Sequence, residues 1–530
     1  MNGFRYLFLS LFSGGLLSLA WYGVDLEIAL FIGFVPLLFL EDEMSSKNKN
    51  RSLLFFIYSN IAFLTWNIID TWWIGRVSLF GAVAVIVINT LLMSLAFQLF
   101  HVTKGKLGKR IGYISLGLYW IAFEYLFLRG ELYWSWLNLG VGLGNSVKLI
   151  QWFEFTGTLG GTLWILVVNV MIFNGIKSFS SDNIKKSLSF LILCFIVIIV
   201  PIIISFNIYK QPTNSGKGCK IVLIQPNINP YTEKFKAISQ QEQVNRILCL
   251  ANSVADGSID YFIAPETAIN DSIWEDSISK NKYIIQLKNY LKAFPRSTFI
   301  IGATTYKLYN KPNKTYTSRK FKDSNYYFDV FNTAIQIDSS SKISLYHKSK
   351  LVIGVEKVPY GKYLGFFDNS LLKIGGSFGS MGVQENRDVF EKGQDFKLAP
   401  VICYESAYGE YVTDFVKKGA NIIAVLTNDG WWIDSPGYEQ HFMFARIRAI
   451  ETRRDIARSA NTGISAFISS KGEILKLTKW WKPVAIKSVL YTNNYKTFYV
   501  QYGDLIGFVA LIFSIVLILF YLFRCFKEKL

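Results

Sequence analysis

From Arg5 to about Tyr209, long apolar runs alternate with short polar breaks. Each run is close to the ~20 residues that a helix needs to cross a hydrocarbon core. Seven spans are read there, centred on 7–21, 26–40, 53–74, 77–100, 111–128, 149–173 and 188–208, and an eighth runs over 505–523. The first run leads directly into the second, and Leu17-Ser18-Leu19-Ala20-Trp21 is a poor small-residue cleavage site, so this run reads as a retained span and not as a signal peptide. Between the seventh and eighth spans the pattern changes. Short apolar runs at 221–224, 261–264, 298–303, 327–337, 343–346, 398–403, 421–427 and 464–469 predict strands. Amphipathic stretches at 241–254, 282–294, 411–419 and 438–454 predict helices. Strands alternating with helices indicate a layered α/β domain large enough to bury its own core. The expected organisation is an α-helical membrane bundle of eight transmembrane helices, with an α/β domain inserted before the last. Its boundaries are 1–210, 211–501 and 502–530.

Charge gives the bundle a direction. Lys47, Lys49 and Arg51 fall between spans two and three, and Lys104, Lys106, Lys109 and Arg110 between four and five. Lys177, Lys185 and Lys186 separate six from seven, and Arg524, Lys527 and Lys529 follow span eight. All four clusters lie on one side of an even-span layout. Basic loops stay inside, so both termini are expected in the cytoplasm and the 211–501 domain outside that membrane. The formal charge of +18 on a chain that is 51% hydrophobic and only 18% charged fits cytoplasmic loops and an anionic lipid surface better than nucleic acid. Asp70, Glu124 and Glu131 sit in or beside the spans, and read either as functional acids or as interfacial groups with aromatic neighbours.

Within the outer domain, 360–395 has no clean period and mixes Gly375, Gly376, Gly379 and Gly382 with Phe366, Phe367, Leu371, Leu372, Phe378 and Met381. It reads either as an apolar lid beside lipid or as an ordinary packed loop. The five cysteines form no regular spacing, so neither a disulfide framework nor a zinc site is indicated. With only three histidines, a Ser-His-Asp arrangement has few places for its base.

Three strand ends carry the candidate chemistry. One ends on Glu266 within Ala264-Pro265-Glu266-Thr267, one on Lys348 after Tyr346-His347, and one on Cys403 after Pro400-Val401-Ile402. Ligands gather at the carboxyl ends of strands in parallel-type sheets, so the three are expected to share one pocket. Cys403 can attack an acyl carbonyl once its proton is removed. Glu266 serves as general base if burial raises its pKa toward the working pH. Lys348 can stabilise the oxyanion, a role worth on the order of 3 kcal/mol for a well-aimed donor.

These residues also carry a resemblance. Pro265-Glu266-Thr267, Tyr346-His347-Lys348 followed by Glu356, and Cys403-Tyr404-Glu405 resemble the Glu-Lys-Cys signature of the nitrilase, or carbon–nitrogen hydrolase, superfamily. Eight spans with the domain inserted before the last resemble its membrane branch, the apolipoprotein N-acyltransferases. Thr427-Asn428-Asp429-Gly430-Trp431-Trp432, Glu439-Gln440-His441, Arg446, Arg448, Glu451, Arg454, Asn461-Thr462-Gly463 and Trp136-Leu137-Asn138-Leu139-Gly140 are similar as well. The resemblance implies a nitrilase-like αββα sandwich on the periplasmic side of a bacterial inner membrane, needing no metal and no organic cofactor. It implies a ping-pong reaction in which Cys403 takes an acyl chain from a phospholipid, typically phosphatidylethanolamine. The acceptor is the α-amine of a lipoprotein's N-terminal diacylglyceryl-cysteine. Glu266 would be the base, Lys348 the oxyanion partner and Cys403 the nucleophile. Glu356 would orient or polarise this group, and Tyr404, Glu405, Asn332, Trp431 and Arg454 would shape or support the pocket. Two departures stand out: Ile353 occupies a position where the family often has proline, and Phe235 lies one place from the family's aromatic after the first strand. A membrane-anchored amidase that releases its thioester to water is the nearest alternative. A non-catalytic lipid-binding protein and a transporter are more distant ones.

Overall fold

The computed structural model describes residues 2–22, 26–47, 51–180, 184–212, 216–310, 314–321, 324–361 and 380–528. The chain divides into two compact units, one formed by Met1–Gly75, Leu79–Gln211 and Tyr502–Leu530, the other by Arg76–Ser78 and Pro212–Gln501.

The first unit is helical: α1 (Asn2–Ser18), α2 (Val35–Lys47), α3 (Ser52–Thr71), α4 (Leu79–Leu107), α5 (Lys109–Phe127), α6 (Phe153–Phe179), α7 (Ile184–Lys210) and a C-terminal helix, Leu505–Lys527. Among the described residues, six helical stretches are long and apolar enough to cross a membrane: Gly3–Tyr22, Ser52–Arg76, Leu79–Leu107, Phe153–Phe179, Ile184–Lys210 and Leu505–Lys527. The two remaining spans read from the sequence differ for local reasons. The run at 26–40 is broken into a 3-10 turn, Glu27–Phe31, and the 13-residue α2. Pro36 at the start of α2 lacks the N–H that would continue a helix through from the turn. The 19-residue α5 begins on Lys109 and Arg110 and encloses Glu124, which lowers its apolar character.

Glu124 is buried inside this unit. It accepts hydrogen bonds from Trp120 Nε1 (3.0 Å), the Leu139 N–H (2.9 Å) and Thr162 Oγ1 (2.7 Å), so it anchors the Trp136–Gly140 loop onto α5 and α6. Asp70 is equally buried, beside Trp66. At another end of the unit, Glu41 pairs with Lys104 and with His101 (2.9 Å), while Asp42 pairs with Lys177. These bonds tie the short α2 to α4 and α6.

The second unit stacks two sheets between two helical layers. Its elements are β1 (Gly218–Gln225), α8 (Gln240–Val254), β2 (Tyr261–Ile263), β3 (Ile269–Trp274), α9 (Lys282–Leu291), β4 (Thr298–Asn310), β5 (Arg319–Lys320), β6 (Tyr326–Ile337), β7 (Ile343–His347), β8 (Phe390–Lys392), β9 (Phe396–Ile402), α10 (Gly409–Lys417), β10 (Ile422–Thr427), α11 (Gly437–Thr452), β11 (Ile456–Ala460), β12 (Ala466–Ile468), β13 (Ile474–Leu477) and β14 (Val484–Tyr491). The first sheet has the order β14-β1-β2-β4-β6-β5, with β3 on β4 and β7 on β6; the second runs β13-β12-β11-β10-β9-β8. β1, β2 and β4 are mutually parallel, as are β9, β10 and β11.

Side chains alternate across each sheet. Val222, Ile224, Phe262, Phe299 and Ile301 form one core with Val244, Ile247, Ile284 and Leu287 from α8 and α9. Their strand neighbours Ile221, Leu223, Ile263 and Ile300 are also fully buried, on the face turned toward the second sheet. Ser459 Oγ donates to the Ile224 carbonyl (2.9 Å), a direct link between the layers. Helices α8 and α10 carry clear amphipathic stripes, and α8 starts with a capping box between Ser239 and Glu242. Half of the 360–395 segment read as a lid, 362–379, lies outside the described residues; 380–395 is described and includes β8.

Candidate active site

β2, β7 and β9 each end where a chemically useful side chain begins. Two residues past β2 the chain reaches Pro265-Glu266, and Thr267 then takes a left-handed backbone (φ 45°) that turns it sharply away. This exit lies tight against β4: the Gly302 N–H donates to the Pro265 carbonyl (3.0 Å), and a Cβ on Gly302 would come within 2.6 Å of Glu266 Cα. Only glycine fits there. Lys348 follows β7 directly, and its N–H donates to the Asn332 carbonyl (2.8 Å) on β6. Cys403 follows β9, opens the 3-10 turn Cys403–Ala407 and is itself left-handed (φ 50°). For a non-glycine residue that conformation costs about 1–3 kcal/mol and persists only where the surroundings hold it.

The side chains converge. Lys348 Nζ lies 2.9 Å from Glu266 Oε1 and 3.0 Å from Glu356. Asn332 Nδ2 donates to both carboxylates, at 2.7 Å to Glu266 and 3.1 Å to Glu356. The Cys403 thiol lies beside Glu266, close enough to interact with its carboxylate. Glu356 is presented by a turn at Val352–Lys357 in which Gly354 adopts φ 81° and the Val352 N–H donates to Glu356 Oε2 (2.8 Å). This turn forms with Ile353 in place of proline. Glu266, Lys348, Asn332 and Cys403 are all buried.

Electrostatics assigns the resting protons. Burial works against the Glu266 carboxylate, but the charge and hydrogen bond of Lys348, with Asn332 and Cys403, outweigh it and hold the group below its usual range. The expectation that burial lifts the Glu266 pKa is therefore corrected, because the lysine ammonium is in direct contact. Burial also opposes the charge on Lys348, yet Glu266 and Glu356 keep it firmly protonated. Burial and the neighbouring Glu266 charge push the Cys403 thiol up, with Lys348 only partly compensating. The resting thiol is neutral, so to attack a carbonyl it would have to give up its proton, and Glu266 is the adjacent group that could take it. A carbonyl entering beside Lys348 would meet a preformed cation, while Cys403 supplies the nucleophile.

Glu405 does not face this chemistry; it secures the frame. Fully buried, it accepts from Tyr346 OH (2.7 Å), Tyr411 OH (2.6 Å), the Ser349 N–H (2.7 Å) and the Ile402 N–H (2.8 Å). These bonds tie the exit of β7, which carries Lys348, to the exit of β9, which carries Cys403. Tyr404 is buried against Tyr408, their rings edge-on at 5.2 Å. Trp431 stacks on Phe235 (6.3 Å) and its carbonyl accepts from Tyr231 OH (2.7 Å), giving an aromatic edge after β1.

Arg454 is not brought to this group. It is buried at the opposite end of β10 and β11, donating to the carbonyls of Ala420 (2.8 Å), Thr452 (2.9 Å) and Tyr495 (2.6 Å). Two features escaped sequence reasoning. Lys234, buried next to Phe235, donates to Thr267 Oγ1 (2.5 Å), and burial, opposed by the Glu266 charge, lowers its pKa to about 8. Its position just past the carboxyl end of β1, the same edge that carries Glu266, was the available signal. The second is a cluster of Asp429, His441 and Arg458 behind Cys403: Asp429 and His441 lie in stretches similar to the family, but nothing in the sequence joined them to each other or to Arg458.

Residues 220–490 match the carbon-nitrogen hydrolase family, and residues 13–171 match the apolipoprotein N-acyltransferase N-terminal domain. A protein of Chlorobaculum tepidum called apolipoprotein N-acyltransferase is 26% identical, over 95% of this chain and 94% of its own. One of the same name from Thermotoga maritima is 26% identical, over 97% and 93%. A solved mutant of a Nesterenkonia amidase from the nitrilase superfamily is 14% identical over 55% of this chain and 95% of its own, with a TM-score of 0.35. The chain belongs to the carbon–nitrogen hydrolase family, in its membrane branch of apolipoprotein N-acyltransferases.

Proposed function

We propose that this protein moves a fatty acyl chain from a phospholipid, through a thioester on Cys403, to the α-amine of the N-terminal diacylglyceryl-cysteine of lipoproteins. One observation carries the reading: the same chain holds a buried thiol beside Glu266 and a doubly paired Lys348, and an N-terminal part matching the apolipoprotein N-acyltransferase N-terminal domain.

The reaction runs in two halves. As the Cys403 sulfur attacks the donor's sn-1 ester carbonyl, its proton passes to Glu266 and Lys348 faces the oxyanion. The C–O bond then breaks, and Glu266 returns the proton to the departing lyso-phospholipid oxygen. In the second half the acceptor amine attacks the thioester, Glu266 takes an amine proton, the C–S bond breaks and the thiol is re-formed. Asn332 and Glu356 hold Lys348 and Glu266 in place, and Glu405 fixes the two strand exits. Trp431 and Phe235 offer apolar surface to the incoming chain, and Tyr404 backs the nucleophile. Phosphatidylethanolamine is the proposed donor.

Both substrates are lipids, so we place the protein in a bacterial inner membrane. In this reading α2 with its preceding turn, and α5, join the six long apolar stretches as spans, eight in all. The basic clusters then put both termini in the cytoplasm and the catalytic unit on the periplasmic side.

The test is incubation of the full-length protein with phosphatidylethanolamine and a synthetic diacylglyceryl-cysteine peptide, with products read by mass spectrometry. An N-acylated peptide and lyso-phospholipid are expected. Free fatty acid with no acylated peptide would favour a thioester released to water, as in an amidase.

A further inference from the structure

We infer that His441 is a positioning residue for the nucleophile: anchored by Asp429 and Arg458, it holds the Cys403 carbonyl and thereby fixes the Cys403–Tyr404 peptide in the orientation that attack requires. The geometry is closed on all sides. Asp429 Oδ1 lies 2.9 Å from His441 Nδ1 and accepts from Thr427 Oγ1 (2.8 Å), while its Oδ2 accepts from Arg458 Nη2 (2.9 Å). The other ring nitrogen, Nε2, lies 3.2 Å from the Cys403 carbonyl and 3.2 Å from Ser406 Oγ, and Ser406 Oγ itself donates to that carbonyl (2.7 Å). A carbonyl can only accept, so this contact requires a proton on Nε2, while Nδ1 faces both Asp429 Oδ1 and Arg458 Nη2 (3.1 Å). The Trp432 ring sits edge-on to the imidazole at 5.3 Å. Asp429, His441, Arg458 and Ser406 are all buried, and a Cβ on Gly463 would come within 2.9 Å of Asp429 Cβ, so the carboxylate has no room to swing away.

The effect on chemistry passes through the backbone. Cys403 is left-handed, a conformation that relaxes unless it is held. The peptide between Cys403 and Tyr404 is planar, so holding its carbonyl also sets the direction of the Tyr404 N–H on the far side of the plane. Glu405 restrains the residue before the nucleophile through the Ile402 N–H (2.8 Å), and His441 with Ser406 restrains the nucleophile's own carbonyl. Because its bond ends on backbone, His441 does not take part in proton transfer. The role rests on Cys403 being the acylated residue, and the experiment keeps the two claims apart.

The variants are His441→Asn, whose short amide can meet Asp429 but not reach the Cys403 carbonyl, His441→Gln, whose amide N–H can reach it, and Ser406→Ala. In full-length protein with phosphatidylethanolamine, Cys403 acylation is followed by intact mass at varied donor concentration, alongside alkylation by iodoacetamide without lipid. Misplacement of a reacting atom by about 1 Å can cost on the order of 100-fold. His441→Asn is therefore expected to slow both reactions by tens- to a hundred-fold at unchanged KM and nearly unchanged Tm, and His441→Gln to restore most of the rate. Ser406→Ala is expected to slow them less, and to add little to His441→Asn, because both bonds end on one carbonyl. Wild-type rates in His441→Asn, equal loss in Asn and Gln variants, or a loss confined to KM would each overturn the assignment. If wild-type protein forms no acyl-enzyme while alkylation still follows the Asn and Gln pattern, the positioning role stands and the acyl-donor reading falls.

Discussion

Lys348, 2.9 Å from Glu266 and 3.0 Å from Glu356, offsets two carboxylates that also share the Asn332 amide. Lys348→Met leaves those carboxylates buried together with no cation. Breaking a buried pair in this way costs about 3–5 kcal/mol, so a clear drop in Tm at pH 7 is expected. Acid protonates one carboxylate and relieves the repulsion, so the deficit should shrink as the pH is lowered toward 5; a constant deficit would contradict the arrangement. Asp429 gives a second pH test. Burial works against its ionisation, but Arg458 and His441 bring its pKa from an ordinary 3.8 to about 2. A depressed carboxylate contributes stability that is complete above pH 4 and lost as pH falls through 2, here about 2 kcal/mol. The Tm gap between wild type and Asp429→Asn should accordingly narrow between pH 4 and pH 2.

The elements decide which of these residues meet. Gly302 on β4 leaves room for the Pro265–Thr267 exit, and Gly302→Ala forces a Cβ to within 2.6 Å of that backbone. Overpacking of this kind costs about 1–3 kcal/mol, and here it also displaces Glu266, so acylation should fall further than Tm alone accounts for. In the helical unit, Glu124→Ala removes the acceptor for Trp120, Leu139 and Thr162 and should destabilise the fold by about 1–3 kcal/mol, measured as Tm in detergent. The strands that carry Glu266, Lys348 and Cys403 were legible because each is an apolar run that stops on its functional residue. β3 was not, since Ile269–Trp274 reads Ile-Asn-Asp-Ser-Ile-Trp. β14 escaped because Lys487 and Ser488 interrupt its apolar pattern, and its antiparallel pairing with β1 is long-range. The run at 26–40 is continuous in hydrophobicity, and only the backbone preference of Pro36 hints at its break. Arg454 shares a motif with pocket residues yet bonds carbonyls at the far end of β10, which residue type cannot reveal. The His441 bond to a backbone carbonyl is hidden for the same reason. The direction of the Glu266 shift depended on a contact distance, since burial and a lysine act in opposite senses.

Across the whole molecule, a helical unit rich in outward apolar residues and an α/β unit with a buried Glu-Lys-Cys group belong to one chain. An enzyme whose donor and acceptor are both lipids has use for each, whereas a hydrolase of small soluble amides does not need the first. A thioester that waits for a lipid amine must also survive water, which the burial of Cys403 favours. The central claim is that Cys403 carries the acyl chain between the two halves of the reaction. It is tested most directly by intact mass of the detergent-purified full-length protein after incubation with phosphatidylethanolamine, alongside Cys403→Ser. The account predicts a gain of one fatty acyl chain, removable by hydroxylamine and absent from the variant. An unmodified wild-type protein with no release of fatty acid, or an adduct that persists in Cys403→Ser, would contradict it.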